Sequence, residues 1–132
     1  MNHIDLGVKG EKLAQEFLKR RGYHILDTNF KCKFGEIDII ATKDDEISFI
    51  EVKTRSQDLF GSPAEAVNIA KQRHIYKVAQ FYILSERMKD VPISLDVVEV
   101  YLYPKGKPRI VHMRNAIIEN PYMMRRGLRY AY

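Results

Sequence analysis

Two carboxylates and a lysine in one stretch of this sequence have the types and spacing for phosphodiester chemistry. Residues 36–54 hold two segments rich in Ile, Val and Phe, and the two aspartates at 44–45 between them predict a hairpin. A hairpin centred on that pair places Asp38 directly opposite Glu51. Lys53 follows Glu51 by two residues, so both side chains project from the same face of the strand.

Facing carboxylates repel each other, and burial strengthens the repulsion, so a bound cation is a simple way to keep both ionised. Mg²⁺ typically takes one or two carboxylates and fills its other positions with water and phosphate oxygens. A lysine beside such a metal orients or deprotonates the attacking water, or stabilises charge on the phosphate. Asp38, Glu51 and Lys53 therefore form the minimal set for metal-assisted phosphodiester hydrolysis, with Mg²⁺ or Mn²⁺ as the expected cofactor.

The same residue types have a plainer interpretation. In most proteins Glu51 and Lys53 would form a solvated pair on a strand surface, but Ile and Val on both faces here favour an inner strand. Glu36, opposite Lys53 in this register, is expected to be a structural partner of that lysine or a surface acid. Glu11 lies at the edge of the apolar arc of the first predicted helix. It is a candidate for the site, and a partly exposed acid near Lys12 is the alternative.

The elements that must position these residues follow from periodicity and turn signals. Helices are predicted over 7–21, ending at Gly22, and over 62–84, and strands over 23–30, 36–42, 46–54, 93–103 and 110–113. The second helix starts with the capping box Ser62-Pro63-Ala64-Glu65. Its predicted apolar stripe is Val67, Ala70, His74, Val78 and Phe81.

These elements predict a single α/β domain over residues 1–120, with the order α-β-β-β-α-β-β and a mixed central sheet flanked by helices. Residues 121–132 form a basic tail that is not a separate domain. The four histidines lack metal-ligand spacing, and the single cysteine excludes a disulfide framework within the chain. No apolar run approaches the roughly 20 residues of a membrane-spanning helix, so we expect a cytoplasmic protein without a membrane partner.

Charge is unevenly distributed along the 132 residues, whose formal net charge is +5. Residues 105–132 contain seven basic residues and one acidic residue, whereas residues 36–51 contain six acidic residues and one lysine. A basic segment favours a polyanionic partner, and clustered carboxylates favour a bound cation. The pattern therefore predicts a cation site in a protein that binds nucleic acid.

Several sequence blocks resemble known protein families. The segments GEIDIIA and FIEVKTR, which hold Asp38, Glu51 and Lys53, resemble the PD-(D/E)xK nuclease superfamily with its restriction-endonuclease-like fold. More closely, GEKLAQEFLKRRGY, NFKCKFGEIDIIA, EVKTRS, and FGSPAEAV followed by KQR resemble the YraN-like family of small bacterial proteins. The resemblance covers about residues 7–117 and implies a relationship to archaeal Holliday-junction resolvases.

The resemblance implies a role for each matching residue. Asp38 and Glu51 would be metal ligands, with the backbone carbonyl of Val52 as a third, and Lys53 would be the catalytic lysine. Glu11 matches the acid often found on the first helix of the superfamily. Fold relatives can lose or change an activity, so the resemblance alone does not establish cleavage.

Basic and polar residues outside the carboxylate cluster are the candidates for contacts with nucleic acid. They are Arg55, Lys71, Gln72, Arg73, Arg125 and Arg126, of which Gln72 matches a polar position on the second helix of the superfamily. The alternatives are an ordinary solvated face for the helical residues, and a solvated tail or a contact with a partner subunit for the two arginines near the C-terminus.

Three functions follow from these features. The leading one is a metal-dependent endonuclease acting on DNA, with branched or damaged DNA as candidate substrates. The second is a nucleic-acid-binding module without catalysis, and the third is an interaction protein whose basic C-terminus docks on an acidic partner. A homodimer is expected for the endonuclease, because cutting two strands symmetrically requires two sites.

Overall fold

The computed structural model describes residues 3–56 and 69–117, which form two helices and a five-stranded sheet. In chain order the elements are α1 (His3–Arg20), β1 (His24–Cys32), β2 (Gly35–Lys43), β3 (Glu46–Ser56), α2 (Ile69–Ser85), β4 (Ile93–Leu102) and β5 (Arg109–Met113). The predicted order α-β-β-β-α-β-β is confirmed. The predicted capping box at 62–65 and the tail at 121–132 lie outside the described residues.

The sheet is mixed and follows chain order, β1-β2-β3-β4-β5. β3 and β4 run parallel, whereas the other neighbouring strands are antiparallel. Helix α2 lies in the connection between the two parallel strands, as a parallel crossover requires. No helix in residues 3–56 and 69–117 combines the length and apolar character needed to cross a membrane.

The β2–β3 hairpin has the predicted centre. Lys43 pairs with Glu46, and the turn residues Asp44 and Asp45 both have left-handed backbone angles, with φ of 52° and 63°. Two successive positive φ values are typical of the type I′ turn, whose twist matches that of the flanking strands. Asparagine and glycine are the preferred residues of this turn, but aspartate tolerates the conformation.

Helix α1 ends where the sequence predicts, at a glycine. Gly22 has φ of 91°, and the Tyr23 N–H donates to the Leu18 carbonyl at 3.0 Å while the Gly22 N–H donates to the Lys19 carbonyl at 3.0 Å. These two bonds form a Schellman motif, which satisfies carbonyls at the end of the helix. The helix begins at His3 rather than at residue 7, and Asp5 in its first turn complements the helix dipole.

The two helices cover opposite faces of the sheet, and each face has its own apolar cluster. The α1 cluster consists of Ala14, Leu18, Ile39, Ala41, Ile50, Val98, Val100 and Leu102. The α2 cluster includes Ile37, Ile40, Phe49, Ile75, Val78, Ala79, Tyr82, Ile83, Leu95 and Val97. A sheet covered on both faces explains why its inner strands are apolar at nearly every position.

The apolar stripe predicted for α2 is partly wrong. His74 is exposed and Phe81 is 37% exposed, whereas the neighbouring residues Ile75 and Tyr82 are buried. The helix carries apolar or aromatic residues around most of its circumference, so helical spacing alone does not single out the buried face.

Helix α1 approaches β3 most closely at Gly10. A Cβ atom at this position would lie 1.7 Å from Thr54 Oγ1 and 2.8 Å from Thr54 Cβ. Rotation of the threonine side chain would move Oγ1 but not Cβ. The glycine therefore sets the distance between α1 and the sheet, and with it the position of Glu11.

Replacing Gly10 with alanine is expected to lower the free energy of unfolding by about 1–3 kcal/mol, because the helix must move away from β3. Gly7→Ala is the matched control, since nothing lies within 4 Å of the added Cβ. At this partly exposed helical position, with open space for the added methyl group, alanine should be neutral or stabilising by up to about 1 kcal/mol. Urea unfolding of both variants measures the difference, and equal stability of the two variants would show that the close approach is unimportant.

Candidate active site

Strand β2 changes the face to which it directs its side chains at Asp38. Ile37 belongs to the α2 cluster and Ile39 to the α1 cluster, although residues two apart on a regular strand share a face. On β1, Asn29 lies between the register partners of these two isoleucines and has φ of 53°. The distortion therefore involves both strands, and it places Asp38 at an irregular point of the sheet.

The ladder between β2 and β3 stops just before Asp38. Its last pair is Ile39 with Ile50, and the N–H of Val52 donates to Asp38 Oδ2 at 2.7 Å. The prediction that Asp38 pairs with Glu51 in the ladder is therefore wrong in detail. The two strands separate here, and the carboxylate takes a backbone hydrogen bond that a regular ladder would give to a carbonyl.

Predicted pairs beyond this point are also absent from the ladder. Glu36 does not pair with Lys53 in the register, and its carboxylate lies 3.9 Å from Lys31 Nζ at an exposed position. Glu36 is thus a surface acid, which is one of its two predicted roles. Ile37 and Val52 pack in different clusters, so they do not form the common apolar face expected from an unbroken hairpin.

Asp38 is surrounded by like charges. Burial is the main cause that raises its pKa from 3.8 to about 7, and the carboxylates of Glu51, Glu11 and Glu36 raise it further. The hydrogen bond from the Val52 N–H acts in the opposite direction, because it favours the ionised form. A carboxyl that titrates near neutrality between other carboxylates is typical of a functional site.

Glu11 reaches this carboxylate cluster from helix α1. Burial raises its pKa, a hydrogen bond with the Asn29 side chain lowers it, and Glu36 and Glu51 raise it. Glu11 is also partly exposed, as in the predicted alternative of a helix-edge acid near Lys12, so its role in the site stays a prediction. We define the carboxylate cluster as Glu11, Glu36, Asp38 and Glu51.

Glu51 and Lys53 lie on β3, and both are half-buried. Their register partners on the parallel strand β4 are Val97 and Glu99. The four carboxylates therefore come together from α1, β2 and β3, where the β2–β3 ladder ends, and Lys53 lies two residues beyond Glu51 on β3. The catalytic and metal-binding roles of Glu11, Asp38, Glu51 and Lys53 stay predictions.

Arg55 continues the same strand but is held by an ion pair. Its Nε lies 3.0 Å from Glu99 Oε2, and both side chains are 17% exposed. The Tyr101 hydroxyl donates to Glu99 Oε1 at 3.0 Å. A contact between Arg55 and nucleic acid stays a prediction, and it would have to share the guanidinium with Glu99.

The other predicted contacts are only partly described. Lys71, Gln72 and Arg73 lie in the first turns of α2, and their side chains are outside the described part of the structure. Arg125 and Arg126 lie entirely outside the described residues. These five contacts stay predictions.

The donor atoms of the site are hard oxygens. In the predicted ligand set, Asp38 and Glu51 would contribute carboxylates and Val52 its backbone carbonyl. In residues 3–56 and 69–117, no three or more His, Cys, Asp and Glu side chains are arranged to hold a metal ion together. Carboxylate and carbonyl oxygens are the donor atoms that Mg²⁺ takes in proteins, together with several waters.

Sequence reasoning missed a buried pair that joins β4 and β5. His112 Nε2 lies 2.8 Å from Asp96 Oδ2, and the Asn115 N–H donates to Asp96 Oδ1 at 3.0 Å. Asp96 is fully buried. The available signal was an aspartate inside an apolar strand, since a buried charge requires hydrogen-bonding partners.

Comparison with known proteins identifies the family. A protein-family sequence model described as "Uncharacterised protein family UPF0102" matches residues 10–100. This span contains Glu11, Asp38, Glu51 and Lys53. A UPF0102 protein of Caldicellulosiruptor saccharolyticus is 48% identical over 107 residues, covering 81% of this chain and 91% of the relative. One from Clostridioides difficile is 47% identical over 116 residues, covering 88% and 99%. The chain belongs to the UPF0102 family, which confirms the YraN-like resemblance.

Proposed function

We propose that this protein is a metal-dependent endonuclease of the PD-(D/E)xK type that hydrolyses phosphodiester bonds in DNA. The observation that carries the proposal is the carboxylate cluster, in which Asp38 has a pKa of about 7. A purely structural carboxylate at this position would be destabilising, because its ionisation is opposed by burial and by three neighbouring acids. A bound cation would offset the repulsion among these carboxylates, and this would explain why they lie together.

The residues of the site divide into metal ligands and groups that act on the substrate. Asp38, Glu51 and the Val52 carbonyl would hold Mg²⁺ or Mn²⁺. When bound, the ion would polarise the scissile phosphate as a Lewis acid and offset the like charges of the cluster. The carboxylates need to be ionised for this role, so binding must remove the proton that Asp38 carries near neutral pH.

Lys53 and Glu11 supply the remaining functions. The ammonium group of Lys53, two residues from Glu51 on β3, would stabilise the negative charge that develops on the phosphate, or orient the attacking water. Glu11, whose pKa is raised by burial, would accept a proton or position water from the α1 side.

A basic and aromatic surface beside the site supports DNA as the substrate. Lys33 Nζ lies 5.2 Å and Lys77 Nζ 6.0 Å from the ring centroid of Phe34, in the hairpin that leads to Asp38. Ammonium groups next to an aromatic ring suit both the phosphates and the exposed bases of a nucleic acid. An unpaired base at a branch or a damaged site would fit this surface better than a base stacked within a duplex.

The activity test uses purified protein with linear, nicked and four-way DNA, and with Mg²⁺, Mn²⁺ or a chelator. We expect nicking that requires the metal and that is lost in Asp38→Ala, Glu51→Ala and Lys53→Ala. If the wild type and the variant that combines all three substitutions behave identically on every substrate, endonuclease activity is excluded.

A second candidate is a nucleic-acid-binding module without catalysis. It is favoured by the lack of a three-residue metal group in the described part of the chain and by the lysines beside Phe34. It predicts DNA binding that weakens with salt, as phosphate contacts are lost, and that is insensitive to chelator. Retention of such binding by the triple variant, without any cleavage by the wild type, would favour this candidate.

Metal affinity should depend on pH with a definite sign. Because the pKa of Asp38 is about 7, protons compete with the metal below that value. Mn²⁺ affinity should therefore rise by up to about tenfold per pH unit toward neutrality and level off above it. Titration calorimetry between about pH 5.5 and pH 8 measures this dependence, and an affinity independent of pH would contradict the assignment of Asp38 as a ligand.

A further inference from the structure

A cavity of about 470 Å³ lies at the other end of the sheet from the carboxylate cluster. It is lined by Arg21, Tyr23, Lys43, Asp44, Glu46, His112 and Arg114. Along β2 it is five residues from Asp38, which corresponds to roughly 17 Å at about 3.4 Å per residue. The size is that of a site for a small molecule.

Two of the cations in this cavity are not neutralised. In residues 3–56 and 69–117, neither Arg21 nor Lys43 forms an ion pair with a carboxylate. The Arg21 guanidinium lies 4.5 Å from the centroid of Phe17, and Lys43 Nζ lies 5.4 Å from the centroid of Tyr23. Aromatic rings thus hold both cations in place while leaving their charge available to a ligand.

Three other charged residues line the cavity, namely Asp44, Glu46 and Arg114. Arg114 forms an ion pair with Glu46, so the two charges offset each other. Asp44 is an exposed turn residue next to Lys43, and solvent screens its charge as it screens those of the exposed Arg21 and Lys43. The formal charge of the lining is therefore +1, and Arg21 and Lys43 are its two cations without a carboxylate partner among the described residues.

One wall of the cavity is aromatic and rigid. The rings of Tyr23 and His112 meet edge to face, with centroids 5.7 Å apart. Asp96, which is fully buried, binds His112 Nε2 at 2.8 Å and fixes the orientation of the imidazole. This contact leaves Nδ1 as the ring nitrogen that is not bound to Asp96.

We propose that this cavity binds a phosphomonoester that carries a planar ring, such as a nucleoside monophosphate. A phosphomonoester has a charge of about −1.5 to −2 near neutral pH and three terminal oxygens with which to contact both Arg21 and Lys43, whereas an internal phosphodiester carries only one negative charge. The phosphate contacts Arg21 and Lys43, and the ring lies against Tyr23 and His112. The site is separate from the carboxylate cluster and does not depend on the nuclease function.

Two sources supply this chemistry, a free mononucleotide and the 5′-phosphate at the end of a DNA strand. Titrations of the full chain followed by NMR should use deoxyadenosine 5′-monophosphate, deoxyadenosine, and a short DNA hairpin with or without a 5′-phosphate. Chelator is present throughout, so that the carboxylate cluster cannot contribute through a metal. Preference for the free nucleotide or for the phosphorylated hairpin identifies the source.

The test variant is Arg21→Gln/Lys43→Gln, and the matched control is Lys19→Gln/Arg20→Gln, which removes the same charge from neighbouring exposed positions. We expect the phosphorylated ligand to bind the wild type and the control alike, and the test variant at least about tenfold more weakly. Equal binding of deoxyadenosine, equal loss in both variants, or no saturable binding of either phosphorylated ligand would overturn the proposal. Amide spectra of the variants report whether each is folded.

Discussion

Replacing Asp38 with asparagine is expected to make the metal-free protein more stable at about pH 8 while abolishing metal binding and cleavage. The folded-state pKa of Asp38, about 7, lies above its ordinary value of 3.8. The unfolded chain therefore releases this proton more easily than the folded protein. Stability is lost as the pH rises from about 4 to about 7, and the loss is complete above that range.

Asparagine removes the charge and keeps an oxygen that accepts the hydrogen bond from the Val52 N–H. We expect a gain of about 1–3 kcal/mol in the free energy of unfolding at pH 8, shrinking toward zero near pH 4, by urea unfolding. Glu16→Gln, at an exposed position of α1, is the control and should change stability by less than about 0.5 kcal/mol. A destabilised Asp38→Asn variant at pH 8 would contradict the electrostatic description of the cluster.

Replacing Lys53 with methionine is expected to reduce the rate of DNA nicking by about 10²–10³-fold while leaving Mn²⁺ affinity nearly unchanged. Lysine is not a metal ligand, and methionine keeps the length of the side chain without its charge. The ammonium group is needed only as charge develops on the phosphate, so its loss affects the chemical step rather than the metal.

Two measurements separate that role from a structural one. Single-turnover nicking reports the chemical step, and calorimetry reports metal affinity. Lys89→Met, at an exposed position outside the site, is the control and should match the wild type in both. If Lys53→Met lost metal affinity together with activity, Lys53 would be a positioning residue for the carboxylates rather than a catalytic one.

The β2–β3 hairpin that carries the site was predictable because residues close together in the sequence determine its turn and its strand pairing. Apolar alternation and the aspartates at 44–45 fix the register from Lys43–Glu46 to Ile39–Ile50. The break at Asp38 was not predictable in the same way. It depends on a left-handed residue of another strand, Asn29, and on a side chain that captures a backbone N–H across the gap.

Other features were predictable only where neighbouring residues in the sequence determine them, and not where contacts between distant segments do. Glu11 was predicted from helical spacing, but its actual reach depends on the contact of Gly10 with Thr54, which no local pattern specifies. The Asp96–His112 pair joins two strands, so only the presence of a charge inside an apolar strand hinted at it. The buried face of α2 was misassigned because most of its surface is apolar.

The most direct test of the proposed nuclease site is calorimetric titration of Mn²⁺ into the wild type and into Asp38→Asn at about pH 8 in two buffers of different ionisation enthalpy. We predict saturable binding with one dominant site in the wild type, none in the variant, and a larger proton release when the titration is repeated near pH 6. Equal binding by both proteins, or no binding by the wild type, would contradict a metal site formed by Asp38 and Glu51.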